Sequence, residues 1–214
     1  MNRLRYRQSY RRHLPHVQPP GATVFVTFRL AGSVSTSALQ RLSLEAGRYG
    51  KALEAIGDPE ERRRWSYADM NRLFGKWDAV VDEASAGPSW LGRPEVAGLV
   101  ADALQACAGR EYDLHAFCIM PNHVHAVFTP LRAEKGTYHS LSSIMHSLKG
   151  GTARKANLVL GRSGAFWEHE NYDHVVRDEA ELGRIVTYVL ENPVKAGLAH
   201  AREDWEWSYC EWGL

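Results

Sequence analysis

The sequence predicts a domain of mixed strands and helices, with a sheet at its centre and helices packed on it. Three observations carry this reading. Residues 23–30 are rich in β-branched and aromatic side chains, as strands are. Residues 117–130 form a second such run, in which apolar residues bracket the triplet His123-Val124-His125. Elsewhere, apolar residues recur at spacings of three and four, the period of helices with one buried face. With 214 residues and 44% hydrophobic content, the chain can bury a substantial core in one domain.

Taken in order, residues 1–20 hold Arg3, Arg5, Arg7, Arg11 and Arg12 and no acid, interleaved with Tyr6, Tyr10, His13 and His16. An arm of this composition can neutralise phosphates and stack bases, and a solubilising tail has the same composition. The strand over 23–30 turns Val24, Val26 and Phe28 to one face and Thr23, Phe25, Thr27 and Arg29 to the other. Gly32 closes it, and Ser35 or Ser37 caps a helix starting near Ala38. From 39 to about 86 the chain is charged and helix-rich, and Met70, Leu73, Phe74, Trp77, Val80 and Val81 form an amphipathic stripe. Pro94 suits a first helical turn, followed by Val96, Leu99, Val100, Ala103 and Leu104 as the buried side.

Residues 112–128 read as two strands, or one long bent strand. Alternation along the second run puts His123 and His125 on one face and Val124 on the other. In the next helix Leu141, Ile144, Met145 and Leu148 pack inward, while Lys149, Arg154 and Lys155 with Ser142, Ser143, Ser147 and Thr152 equip the other side to grip a phosphate backbone. Residues 166–176 mix aromatics, acids and histidines. Either they approach the His pair, or, the preferred reading for His169 and His174, they form a polar network that docks the last helix.

That helix spans about 179–192. Asp178 caps its start, Pro193 and Gly197 close its end, and Leu182, Ile185, Val186, Val189 and Leu190 face the core. Glu181, Arg184, Tyr188 and Asn192, spaced 3, 4 and 4, line another face. Residues 201–214 carry Trp205, Trp207 and Tyr209, an aromatic latch for the chain's end.

Composition narrows the function. Twenty-six Lys and Arg against 25 Asp and Glu give a formal charge of +1, so any nucleic-acid surface must come from local clustering. Three widely spaced cysteines support neither a disulfide scaffold nor a thiolate zinc module. No apolar run approaches the roughly 20 residues needed to cross a bilayer, and no secretion signal follows the Arg-rich start, so the expectation is a soluble intracellular protein with no membrane partner.

The chemistry follows from one supposition, that the polar face of the last helix docks on the His-X-His strand. His123, His125 and the amide oxygen of Asn192 would then hold Mg²⁺ or Mn²⁺, with Tyr188 nearby as a nucleophile towards a phosphodiester. Attack would leave a phosphotyrosine ester that conserves bond energy, so a later hydroxyl can rejoin the strand.

Residues 114–125, ending in Pro121-Asn122-His123-Val124-His125, and the late blocks 166–168 and 188–198 resemble the REP-associated tyrosine transposases, relatives of the IS200/IS605 transposases. Residues 11–16 and 20–30 are similar to that family's opening, so the resemblance spans nearly the whole chain. It implies an α+β, ferredoxin-like fold of the HUH endonuclease class, with a central antiparallel sheet carrying the His-X-His pair and helices on one face. It further implies cleavage of single-stranded or hairpin DNA through a 5′-phosphotyrosine. By position, His123 and His125 match the metal-binding pair, Tyr188 the nucleophile and Asn192 the polar metal ligand. The chain departs from the resemblance at Glu168, where Gln is common; an acid there would repel DNA or assist the metal.

The domain expectation is a basic arm over 1–20, a catalytic domain over 21–200 with a helical insertion at about 35–105, and the latch over 201–214. The expected setting is a bacterial cytoplasm, at the nucleoid, as monomer or homodimer. Two alternatives stand beside cleavage: a non-catalytic hairpin DNA-binding regulator, and a metal-dependent phosphodiester hydrolase that activates water.

Overall fold

A computed structural model of the chain describes residues 9–11, 15–17, 19–35, 37–38, 40–41, 44, 55–58, 76, 80, 87–134 and 136–214. Arg3, Arg5, Arg7 and Arg12, and most of the expected helical stretch between 39 and 86, lie outside the described residues. Strands β1 (Ser9–Arg11) and β2 (Pro15–Val17) form an antiparallel pair in which Tyr10 lies opposite His16.

The centre is an antiparallel sheet of five strands: β3 (Val24–Arg29), β4 (Tyr112–Ile119), β5 (His123–Pro130), β6 (Tyr172–Val175) and β7 (Ser208–Cys210), in the order β6-β3-β5-β4-β7. Residues 112–128 are thus two strands rather than one, and the reversal falls at 120–122, where Met120 N–H donates to the His123 carbonyl at 2.8 Å. Pro121 suits that turn because it has no N–H to leave unpaired. The β3–β5 register sets Thr27 opposite His125 and Arg29 opposite His123.

One sheet face, with Val24, Val26, Phe28, Val124, Ala126 and Phe128, packs against helices α1 (Pro94–Cys107) and α2 (Leu141–Val159). Val96, Val100 and Leu104 of α1 and Ile144, Met145 and Leu148 of α2 supply the apolar sides that the spacings predict. The other face, with Phe25, Ala116, Cys118, Met120 and Val127, packs against Val186, Val189 and Leu190 of helix α3 (Glu179–Lys195). The expectation of helices on one face is therefore corrected: the sheet is flanked on both. The physical reason is visible in β3, where all six residues are buried, so neither face is left to water. Each Val or Leu so enclosed contributes about 1.5–3 kcal/mol relative to exposure.

Helix α3 starts as predicted: the Asp178 carboxylate accepts from Glu181 N–H at 2.7 Å. Its end differs. Pro193 lies inside the helix, which continues to Lys195. Near a C-terminus the ring costs little, because only one backbone bond is lost. Gly197, at φ 69°, then ends it: Leu198 N–H donates to the Pro193 carbonyl and Gly197 N–H to that of Val194. The aromatic segment after it docks through β7 on the edge of β4. Trp205 donates its indole N–H to the Ile119 carbonyl at 3.1 Å, and Tyr209 stacks on Phe117.

Candidate active site

Because β5 alternates, His123, His125 and Val127 point to the face that α3 covers, and both imidazoles are buried, at 1% and 0% exposure. Their Nε2 atoms face one another at 2.9 Å. Each ring is held from behind: His123 Nδ1 lies 2.6 Å from Asn122 Oδ1, and His125 Nδ1 lies 2.9 Å from Thr27 Oγ1. Phe25 stacks on His125 at 5.6 Å between centroids. Burial first, and the neighbouring His123 second, hold His125 well below its ordinary pKa, so its ring is neutral at neutral pH and offers a lone pair.

The four-residue spacing in α3 brings Tyr188 and Asn192 together. Asn192 Nδ2 donates to Tyr188 Oη at 3.0 Å and reaches His125 Nε2 at 3.3 Å. Its Oδ1 is buried and has no hydrogen-bond partner among the described residues. A half-turn of the amide exchanges the two atoms and brings that oxygen to the imidazole pair. An orphaned acceptor beside two facing imidazole nitrogens is a donor set that suits a divalent cation. Tyr188 is half-buried, edge-on to His125 at 5.8 Å, and Lys195 Nζ, ion-paired with Glu191 Oε2 at 3.3 Å, lies 5.1 Å from its ring centroid.

The supposed docking of the helix face thus holds for Tyr188 and Asn192, and fails for the rest of that face. Glu181 is buried and accepts from His174 Nε2 at 3.1 Å and from Arg177 N–H at 2.8 Å, while Arg184 is exposed. His174 therefore serves to dock α3. Among the described residues no group of three or more His, Cys, Asp or Glu is placed to hold a metal, so neither His169 nor Asp173 joins the imidazoles.

The basic residues of α2 lie in the layer across the sheet from the imidazoles. Lys149 directs its ammonium at the carbonyls of Glu168, His169 and Glu170, at 3.1, 3.3 and 3.3 Å, whereas Arg154 and Lys155 are exposed. Arg11 lies in β1.

Sequence reasoning gave no role to Thr27, Asn122 or Arg29. Asn122 was findable, since it adjoins His123 on a turn. Thr27 and Arg29 become neighbours of the site only through the β3–β5 register. Glu168 is explained by the same geometry: it forms an ion pair with Arg29, Nη2 to Oε2 at 3.2 Å, and its N–H donates to the Arg29 carbonyl. The acid neutralises a buried guanidinium.

A family model described as "Transposase IS200 like" matches residues 99–192, the segment that carries the His pair, Tyr188 and Asn192. The solved structure of a REP-associated tyrosine transposase bound to a REP hairpin shares the fold with TM-score 0.51 at 16% identity, over 93% of this chain and 80% of that one. The family model covers less than half of the chain, and the solved structure shares its fold. A Haemophilus influenzae protein provisionally named a REP-associated tyrosine transposase is 22% identical over 109 residues, 49% of this chain and 62% of that protein. An uncharacterised protein of the same organism is 31% identical over 98 residues, 36% of this chain and 52% of its own length. The chain thus spans between half and two thirds of the lengths of these two Haemophilus influenzae proteins. No described helix is long and apolar enough to cross a membrane.

Proposed function

We propose that the chain is a divalent-metal-assisted tyrosine endonuclease and strand transferase acting on single-stranded DNA folded as a hairpin of the REP-palindrome kind. The observation that carries this reading is the unbroken run of polar contacts Tyr188 Oη, Asn192 Nδ2, His125 Nε2 and His123 Nε2 on the buried face between β5 and α3. The superfamily likeness and the hairpin-bound structure of similar fold support the substrate class.

In this reading His123, His125 and the amide oxygen of Asn192 would hold Mg²⁺ or Mn²⁺. Bound there, the ion would withdraw charge from a phosphodiester and stabilise its five-coordinate transition state. The residues of the chain do the rest. Tyr188 Oη loses its proton and bonds to phosphorus; the bond from phosphorus to the 3′ oxygen breaks, and that oxygen leaves as a 3′-OH after taking a proton. The 5′ phosphate stays on Tyr188 until a 3′-OH attacks and releases the phenol. Asn192 orients the phenol. Residues 21–200 would form the catalytic unit, with Arg3, Arg5, Arg7, Arg11 and Arg12, and Arg154 and Lys155 on α2, meeting DNA phosphates. The setting is the nucleoid of a bacterial cytoplasm.

The test incubates end-labelled hairpin oligonucleotides with the protein and Mg²⁺ or Mn²⁺, resolves products under denaturing conditions, and repeats the reaction with Tyr188→Phe. The expected result is a covalent adduct on the DNA 5′ end that the variant does not form. Binding without an adduct would replace the reading by a regulatory DNA-binding protein, and nicking by both proteins would replace it by metal-activated water.

A further inference from the structure

Each ring of the imidazole pair meets a different kind of partner on its Nδ1. A neutral imidazole carries one N–H and one bare nitrogen. Asn122 Oδ1, 2.6 Å from His123 Nδ1, has no proton to give, so His123 keeps its proton on Nδ1 and its Nε2 is bare. Two bare nitrogens 2.9 Å apart would repel. In the metal-free protein, with the Asn192 amide turned so that Oδ1 rather than Nδ2 lies 3.3 Å from His125 Nε2, the proton of His125 sits on Nε2 and is shared between His123 Nε2 and that oxygen, and His125 Nδ1 accepts from the Thr27 hydroxyl at 2.9 Å. A cation held by both Nε2 atoms requires the other arrangement, with the His125 proton on Nδ1. The group facing that nitrogen must then accept where it had donated. An amide oxygen or a carboxylate can only accept, a methyl can do neither, and a hydroxyl does both by rotating about its Cβ–Oγ bond. Thr27 and His125 are both buried, at 1% and 0% exposure, so the hydroxyl and not bulk water meets Nδ1.

We propose that Thr27 and Asn122 are positioning residues that decide which ring nitrogens face an incoming cation: Asn122 fixes His123 in one tautomer, and Thr27 lets His125 exchange tautomers as the cation enters. This rests on the metal-assisted reading above. It adds that loading the site moves a proton across one imidazole without releasing it, and that the hydroxyl on the neighbouring strand belongs to the metal site. Such partners behind a metal-bound imidazole typically change metal affinity by about 10–100-fold.

The test uses the full chain without DNA. Mn²⁺ binding is measured by calorimetry for wild type, Thr27→Val, Thr27→Ser and Asn122→Leu, together with each unfolding midpoint. The ring nitrogens are followed by nitrogen NMR before and after Mg²⁺. The expected result is Mn²⁺ affinity lower by about 10–100-fold in Thr27→Val and Asn122→Leu and restored in Thr27→Ser. Val nearly matches Thr in shape, and Ser keeps the hydroxyl should Val unfold the strand. In wild type the His125 proton should move from Nε2 to Nδ1 on Mg²⁺ addition. Equal Mn²⁺ affinity in Thr27→Val and wild type would overturn the proposal, as would metal-free spectra that already place the His125 proton on Nδ1. Failure of wild type to bind Mn²⁺ would refute the underlying metal reading and the cation-driven exchange with it, while the metal-free spectra would still decide the proton arrangement.

Discussion

Replacing Glu181 by Ala should loosen the helix that presents Tyr188. The carboxylate is buried at 4% exposure and accepts from His174 Nε2 at 3.1 Å, from Arg177 N–H at 2.8 Å and, more weakly, from Arg177 Nε at 3.4 Å. Hydrogen bonds to a charged acceptor contribute about 1.5–3 kcal/mol each. The Arg177 side chain is half-exposed, so its ion pair adds little. Two strong bonds lost together, with two donors left without this acceptor, give an expected cost of about 3–5 kcal/mol. That is a large share of the stability of about 5–15 kcal/mol typical of a domain. The assay is urea unfolding of wild type, Glu181→Ala, His174→Ala and the double variant, with adduct formation on a hairpin measured alongside. The cycle should show a coupling above about 1 kcal/mol between the two positions, and adduct formation should fall with Tyr188 itself untouched. A loss below about 1 kcal/mol for Glu181→Ala, or additive single variants, would refute the clamp.

Two other expectations concern charges near the same face. Burial and His123 depress the His125 pKa in the folded state, whereas the unfolded ring titrates near 6.5. The unfolded chain therefore takes up the proton first, so the stability contributed by the neutral ring is complete above about pH 6.5 and is lost as pH falls towards the folded-state value. The urea midpoint of wild type should drop more steeply than that of His125→Gln below about pH 6.5, and parallel curves would contradict this. Glu168→Gln should destabilise by about 1–3 kcal/mol, because it removes the counter-charge of Arg29, which is 3% exposed; the figure is kept low because Glu168 is 33% exposed. A change under about 0.5 kcal/mol in urea unfolding would show that the pair does not matter.

Much of the site was legible because it rests on short periods. The two-residue period of β5 put His123 and His125 on one face, the four-residue period of α3 put Tyr188 above Asn192, and Asp178 announced the helix start. What could not be read depends on partners far apart in sequence. Thr27 meets His125 across 98 positions, and the partner of Glu168 is an arginine in β3. The expectation of helices on one face did not follow through the supposed docking of the last helix on the His-X-His strand, which itself requires a helix on the imidazole face, where Thr27 and Arg29 lie buried against His125 and Glu168. Pro193 suggested a stop, but a proline in the last turn leaves the preceding helix intact.

The strand order has a further consequence for how the chain comes off the ribosome. Strand β3 is made early, yet its two neighbours in the sheet are β5 and β6, and α3 is completed only at Lys195. Before residue 188 is added, a nascent chain holds Thr27 and both imidazoles but lacks Tyr188 and Asn192, and its sheet face is bare. Such non-local pairings form slowly and leave apolar surface open to other chains. The same delay means that a truncated translation product ending before Tyr188 keeps an apolar sheet face open and is an aggregation hazard.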